Sequence, residues 1–535
     1  MSKKYILFSV VTLISLHTYS QYNFHKLIGG NNHDRAQTAF STSDNNYIVN
    51  GATLSFGQGS ADAMLVKLDS TGQTIWSFVY GTTDYDNSEY AIETFDRNIV
   101  SAGRSNIQSG FPTSAILFKV DTNGQLLWSH AYGGIGNDGF TQVIETSDNG
   151  YAAVGNSSSL TAGNSDIFFV KTDVNGDTVF TKSYGSIEAE AGASIIQLPD
   201  NGYLIAGRQL TFPGGSPESD GILLRTDASG NLLWTKIYGD TLWDEFTALQ
   251  QTSDGGFILT GSTVSFGAGD FDILLMKTDS AGDIQWTKTF GGVKSDAAYD
   301  IHINTDNSLI MSGYTESLGY GHARGSDSTN VFLLKTDDAG NLLWMEVYGD
   351  GLQDEAYRSN IASDGGYLLT GFTTDFLVND SSQMLVVKTD IIGLTGCHES
   401  SATPVDSNIV MPYQPIVFTE SSGLPNSSFV LIQNSVNPAN DNACLFSSIN
   451  TIEKTESDYE AFPNPFNNKL TITLDGKNLS SSEIIFSDVL GRIVLSVIVN
   501  STVNNLDTKE LFPGIYIVSV KNEKGISKGR ILIKE

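Results

Sequence analysis

Residues 272–290 read Asp-Ile-Leu-Leu-Met-Lys-Thr-Asp-Ser-Ala-Gly-Asp-Ile-Gln-Trp-Thr-Lys-Thr-Phe, and Gly291-Gly292 follow. The apolar run to Lys277 has the composition of a buried strand. Asp279-Ser280-Ala281-Gly282 is a tight turn, with Gly282 free to take positive φ. Asp283 to Phe290 alternates as a returning strand. Further out, Ala298 to Ile303 and Leu309 to Gly313 flank a second turn at Asp306-Asn307-Ser308. One unit therefore holds four short strands.

The unit repeats. A basic residue, any residue, Asp, two residues and Gly recur at Lys67, Lys119, Lys171, Arg225, Lys277, Lys335 and Lys388. Successive motif aspartates lie 52, 52, 54, 52, 58 and 53 residues apart. A period of that size means stacked supersecondary units. Seven units of four strands predict an all-β chain, a seven-bladed β-propeller over residues 21–396. Tyr22 to Ile28 matches the strand that elsewhere follows the turn, but nothing precedes it. It is expected to complete blade seven and close the ring, leaving no free edge there. Trp76, Trp128, Trp234, Trp286 and Trp344, with Phe180, share one repeat position and read as filling between blades. The Lys-x-Asp pair reads as a turn or inter-blade brace.

These motifs resemble the SBBP type of β-propeller repeat over about residues 22–396. The resemblance implies the propeller and no particular activity. A sialidase reading does not fit. The spacing Asp279-x-x-Gly282-x-x-x-Trp286 is too wide, and the few arginines occupy unmatched repeat positions.

Residues 1–20 have the pattern of a secretory signal: Lys3-Lys4, an apolar run to Leu16, and Thr18-Tyr19-Ser20 before an expected cut at Gln21. No stretch is long and apolar enough to cross a bilayer as a helix. The net charge of −30 argues against nucleic acid and anionic lipid as partners.

At the other end, residues 458–535 are expected to form a small β-sandwich. Pro463-Asn464-Pro465-Phe466, Gly491-Arg492 and Gly514-Ile515-Tyr516 follow in order. The segment resembles the type A C-terminal sorting domain of the type IX secretion system of Bacteroidetes. That implies the secretion machinery as partner, passage through periplasm and outer membrane, and release or attachment at the cell surface. Between the two parts, residues 397–457 read as an extension closed by a Cys397–Cys444 disulfide, with Ile409 to Phe418 and Phe429 to Ile432 as candidate strands, and ending in a polar linker. Two free thiols are the alternative.

The remaining candidates lie on one face of the ring. Five residues after the first Gly of each aromatic-Gly turn stands an acid: Asp34, Asp86, Asp138, Glu190, Asp244, Asp296 and Asp354. Each either caps its own loop or joins a ring of charge at the channel mouth that attracts a cation. Loops on that face carry Trp243, Tyr320, His322 and Arg324, and variable loops on a rigid scaffold suit binding. No phosphate loop, metal-ligating His pair or nucleophile elbow occurs, so no cofactor and no enzymatic activity is expected. The reading is an exported, monomeric binding module for extracellular polysaccharide or protein. A propeller enzyme acting on glycans and a purely structural surface protein are the alternatives.

Overall fold

The computed structural model describes residues 22–447 and 459–534 apart from short stretches, the longest being 108–111, 213–217, 320–327, 375–380, 423–426, 463–468, 475–481 and 489–492. The signal reading on residues 1–20 lies outside the described residues. The chain divides after Ser448 into two compact units.

In the first unit, seven antiparallel sheets each contain four repeat strands. In blade five these run, from the inside outward, Asp244–Gln251, Phe257–Thr263, Asp272–Thr278 and Ile284–Gly291. The ring closes as its ends suggested. Tyr22–Gly29 pairs with Gln383–Lys388 as the fourth strand of blade seven, with Phe24 opposite Lys388.

The repeat motifs have distinct mechanical roles. The aspartate of each Lys-x-Asp turn accepts backbone amides two and four residues on; Asp279 Oδ1 takes Ala281 N and Asp283 N, both at 2.9 Å. Gly282 holds φ 81° there, a conformation that costs a side chain free energy. The buried lysine reaches the aspartate of the second turn in its own blade: Lys67–Asp44 at 2.8 Å, Lys119–Asp96 at 2.7 Å, Lys277–Asp254 at 2.9 Å. The brace thus lies within a blade, tying its two turns, rather than between blades. Contacts between blades include the repeat aromatics and backbone amides that donate to acid or amide side chains of the next blade, as Ser43 N does to Glu93 Oε2 at 2.8 Å. Tyr80, Tyr132 and Tyr238 donate their hydroxyls to the turn-glycine carbonyls of the next blade at 2.6, 2.6 and 2.7 Å. Each repeat tryptophan covers the same glycine, as Trp128 covers Gly176.

Residues 397–457 differ from the sequence reading. Seven short strands between Glu399 and Ser447 pair with the outer edges of the blades in reverse order. Glu399–Ser401 lies on blade six, Val405–Asn408 on five, Tyr413–Pro415 on four and Thr419–Ser422 on three. Ser427–Ser428, Ile432–Ser435 and Ala439–Ser447 continue on blades two, one and seven. Most of the expected linker is therefore a belt that circles the propeller and makes every blade five-stranded. Most of its strands are short and polar and pair through backbone groups, so the apolar stretches at 409–418 and 429–432 marked only two of the seven, Tyr413–Pro415 and Ile432–Ser435. Cys444 lies in the last belt strand. Cys397 lies outside the described residues, so the expected pairing is not seen here.

The second unit consists of two sheets. One holds Tyr459–Phe462, Lys469–Leu474 and Val503–Asp507; the other is built around Ser482–Asp488 and Gly514–Asn522. Leu470, Ile472 and Leu506 from the first meet Ile484, Phe486, Tyr516 and Val518 from the second in one core. Gly514 opens its strand. Pro463, Asn464, Pro465, Phe466, Gly491 and Arg492 lie outside the described residues.

Candidate binding site in the central channel

All seven repeat acids stand at or next to the start of the innermost strand of a blade, and all are buried, at 0–4% exposure. Their partners come from their own loops. Asp138 Oδ2 accepts Gly134 N at 2.9 Å and Ser159 Oγ at 2.6 Å, while Oδ1 accepts Ser157 Oγ at 2.5 Å. Asp244 is held the same way by Asp240 N at 3.0 Å, Thr263 Oγ1 at 2.5 Å and Ser265 Oγ at 2.7 Å. Glu190 takes Ser186 N at 3.1 Å and Gln209 Nε2 at 2.7 Å. Burial pushes the carboxyls of Asp86, Asp244 and Asp296 up, and the hydroxyl and amide donors pull against it. For Asp34, Asp86, Asp138, Glu190, Asp244 and Asp296 the arrangement is the loop-capping one.

The channel lining begins three residues beyond each acid. Every inner strand has a register shift there: between Ala36 and Thr38, Ser88 and Tyr90, Phe140 and Gln142, and likewise around the ring. A β-bulge leaves one residue unpaired and re-aims it. The repeat glycine on the second strand makes the bulge possible. A Cβ at Gly313 would lie 1.9 Å from the Ala297 carbonyl oxygen, and one at Gly371 1.6 Å from that of Glu355. Only glycine admits so close a backbone approach.

The bulged residues are Gln37, Glu89, Thr141, Ala193, Thr247, Tyr299 and Tyr357, and all seven line one cavity of about 260 Å³. Arg208, Glu245 and Arg358 complete its polar wall. The wall is uneven. Blades six and seven present an aromatic side, where Tyr299 meets Tyr314 and Tyr357 edge to face or tilted, with centroids 5.9 and 5.8 Å apart. Arg35, on the inner strand of blade one, lies over Phe372 at 4.5 Å and points Nη1 toward Tyr357 Oη at 3.4 Å. Across the bore, Arg208 pairs with Glu245 at 2.6 Å and lies over Trp243 at 5.4 Å. Glu89 accepts Asn87 Nδ2 at 2.6 Å.

Deeper in, Arg358 of blade seven donates to the Tyr299 carbonyl of blade six at 2.9 Å and lies over the Tyr90 ring of blade two at 5.5 Å. Buried Asp300 receives Ser359 N at 3.1 Å and stands 3.2 Å from His302 Nε2. Burial alone would raise the Asp300 carboxyl, but His302 and Arg358 hold it below its ordinary value. Burial would also lower His302, and Asp300 more than offsets that.

Of the residues singled out in the sequence, the seven acids support the loops beside this mouth, and half-buried Trp243 backs its Arg208. Tyr320, His322 and Arg324 lie outside the described residues. The bulge residues were not among the sequence candidates.

Residues 460–534 match the family model described as the secretion system C-terminal sorting domain. The regulatory protein FlaEY of Caulobacter vibrioides is 23% identical over 256 residues, which cover 43% of this chain and 26% of FlaEY. The chain thus spans about a quarter of that relative's length. Among solved structures, PorZ of Porphyromonas gingivalis, a bacterial surface component of the type IX secretion system, aligns over 92% of this chain and 58% of its own, at 11% identity and TM-score 0.36. The family 43 glycoside hydrolase YxiA of Bacillus licheniformis aligns over 68% of this chain at 10% identity and TM-score 0.26. Likenesses this distant carry no argument about activity.

Proposed function

We propose that this seven-bladed propeller with a type IX secretion sorting domain is a non-enzymatic binding module for an extracellular polysaccharide. The sorting domain engages the type IX machinery and directs export to the cell surface or the medium. The binding reading rests on one observation: the seven bulges aim side chains of five kinds, tyrosine, threonine, glutamine, glutamate and alanine, into a single cavity. A concave site lined by aromatic rings and a few convergent polar groups has the make-up of a ligand-binding pocket.

Protein binding is the weaker reading of this cavity. Hot spots for protein partners are aromatic or arginine anchors in desolvated pockets of a broad surface. Here the tyrosines and ion pairs line a narrow well. Tyrosine faces suit the C–H face of a sugar ring, and planar carboxylate and guanidinium groups suit vicinal hydroxyls. The repeat acids that a glycan-cleaving enzyme would draw on are occupied by their own loops.

A glycan-array screen of the secreted protein tests this reading. Binding is expected for the wild type, with Tyr357→Ala at least ~10-fold weaker, a loss of about 1.4 kcal/mol. Trp243→Ala is expected to weaken it less, through Arg208. Incubation with the bound glycans is expected to release no reducing ends. A wild-type protein that binds no glycan, or one that cleaves them, contradicts the proposal.

A further inference from the structure

We infer that the channel takes the end of a glycan chain, as one uncharged terminal sugar, and excludes stretches from the middle of a chain. The inference rests on the glycan-binding reading above and deepens it.

The first argument is that the bore is blind. Arg358 is rooted in blade seven, hydrogen-bonded to blade six and seated against Tyr90 of blade two. Its side chain therefore spans the channel below the bulge residues. Asp300 and His302 supply a buried charge partner and its neighbour, so moving the guanidinium aside would leave a buried carboxylate short of compensation. A chain cannot thread through such a floor. A ligand must enter from the acid-bearing face and stop.

The second argument is size. The cavity, at about 260 Å³, falls below the ~300–1,000 Å³ of sites that enclose drug-sized ligands. It has room for one small ring, with the rest of a longer molecule leaving through the mouth.

The third is charge. Arg208 is matched by Glu245 at 2.6 Å, and Arg358 faces Asp300 at 3.9 Å. Arg35 stands close enough to Glu355 to pull its carboxyl down against the rise that burial causes. Each arginine of the well thus has an acid nearby, so an extra carboxylate on the ligand would meet no uncompensated cation. What these groups offer is a dense set of directed donors and acceptors, and neutral hydroxyls satisfy those without a desolvated charge.

The test uses the full mature chain and neutral linear oligosaccharides, including a maltose-to-maltohexaose series, a cello series and a xylo series, with α-cyclodextrin as an endless glucan. Titration calorimetry follows each series that binds on the array. The expected result is one site, an affinity flat within two-fold from disaccharide to hexasaccharide, and competition by the terminal monosaccharide. Affinity that climbs steadily with length, or binding of a cyclic glycan, overturns end recognition while leaving glycan binding intact. Binding confined to uronate-terminated glycans overturns the uncharged class. Binding of no glycan at all overturns both this inference and the proposed function. Tyr357→Phe is expected to keep binding within about three-fold. Tyr413→Ala, in the belt, is expected to leave it unchanged, which separates site effects from unfolding.

Discussion

Asp62 and Asp86 meet beneath Gly81: a Cβ added there would lie 1.9 Å from Asp62 Oδ1 and 3.0 Å from Asp86 Oδ2. Asp220 and Asp244 meet under Gly239 in the same way, and Asp272 and Asp296 under Gly291. Burial, and then the facing carboxylate, pushes Asp62 up to about 6 and Asp220 up to about 7. Blade six places Asn330 at the equivalent position, opposite Asp354, so a neutral group can satisfy the same junction. A carboxyl whose pKa is raised on folding stabilises the fold while protonated, and that contribution is lost as pH climbs through the folded value. Unfolding free energy should therefore fall between about pH 4 and pH 7 from these groups. Asp62→Asn should flatten that slope and stabilise the protein at pH 8 by on the order of 1–2 kcal/mol. Urea titrations at pH 5 and pH 8 would show it, and an unchanged slope would contradict the pairing. Arg97 is a second residue-scale case. It holds φ 65° at a turn position where other blades carry Asn or Gly. Arg97→Asn should add ~0.5–1 kcal/mol, read as a higher denaturation midpoint. Gly313→Ala goes the other way. With the Ala297 carbonyl 1.9 Å from the new methyl, at least ~2 kcal/mol should be lost.

At the scale of the element, repetition decides what the sequence can reveal. The acids, turn glycines and tryptophans recur at fixed spacing, so their structural roles were legible. The bulge residues were hidden because a bulge breaks the two-residue alternation by which a strand's faces are told apart. The Lys-x-Asp brace was only half legible. Its lysine and Asp44-type partner come from different hairpins, and their pairing shows only in the folded blade. The belt was less legible still, because most of its strands pair on an edge through backbone groups and leave no hydrophobic pattern. It covers the outer edge of all seven blades, and exposed edges are templates for association. Deleting residues 399–447 should give a chain that aggregates at concentrations where the full chain is monodisperse by light scattering. Cys397 precedes the belt and Cys444 lies in its last strand. If they pair, as expected of an exported chain, reduction should cost ~3–4 kcal/mol and non-reducing peptide mapping should find the cross-link. Free thiols in the secreted protein would contradict that expectation.

At the scale of the molecule, the propeller joins a strict frame to an irregular lining. Turn braces within blades, tyrosine-to-glycine hydrogen bonds between them and the N-terminal strand in blade seven fix seven inner strands around one axis. The frame turns the bulge position of every blade toward the channel, and those seven positions, with Arg208, Glu245 and Arg358, line the well. The Arg358 floor turns the well from a passage into a socket. The most direct test is a crystal structure of the mature chain with an array-positive oligosaccharide. The account predicts density for one terminal sugar beside Tyr357 and Arg208, above Arg358, with the chain leaving by the acid-bearing face. A sugar bound on the belt or the outer loops, or a chain threaded through the bore past a displaced Arg358, would contradict it.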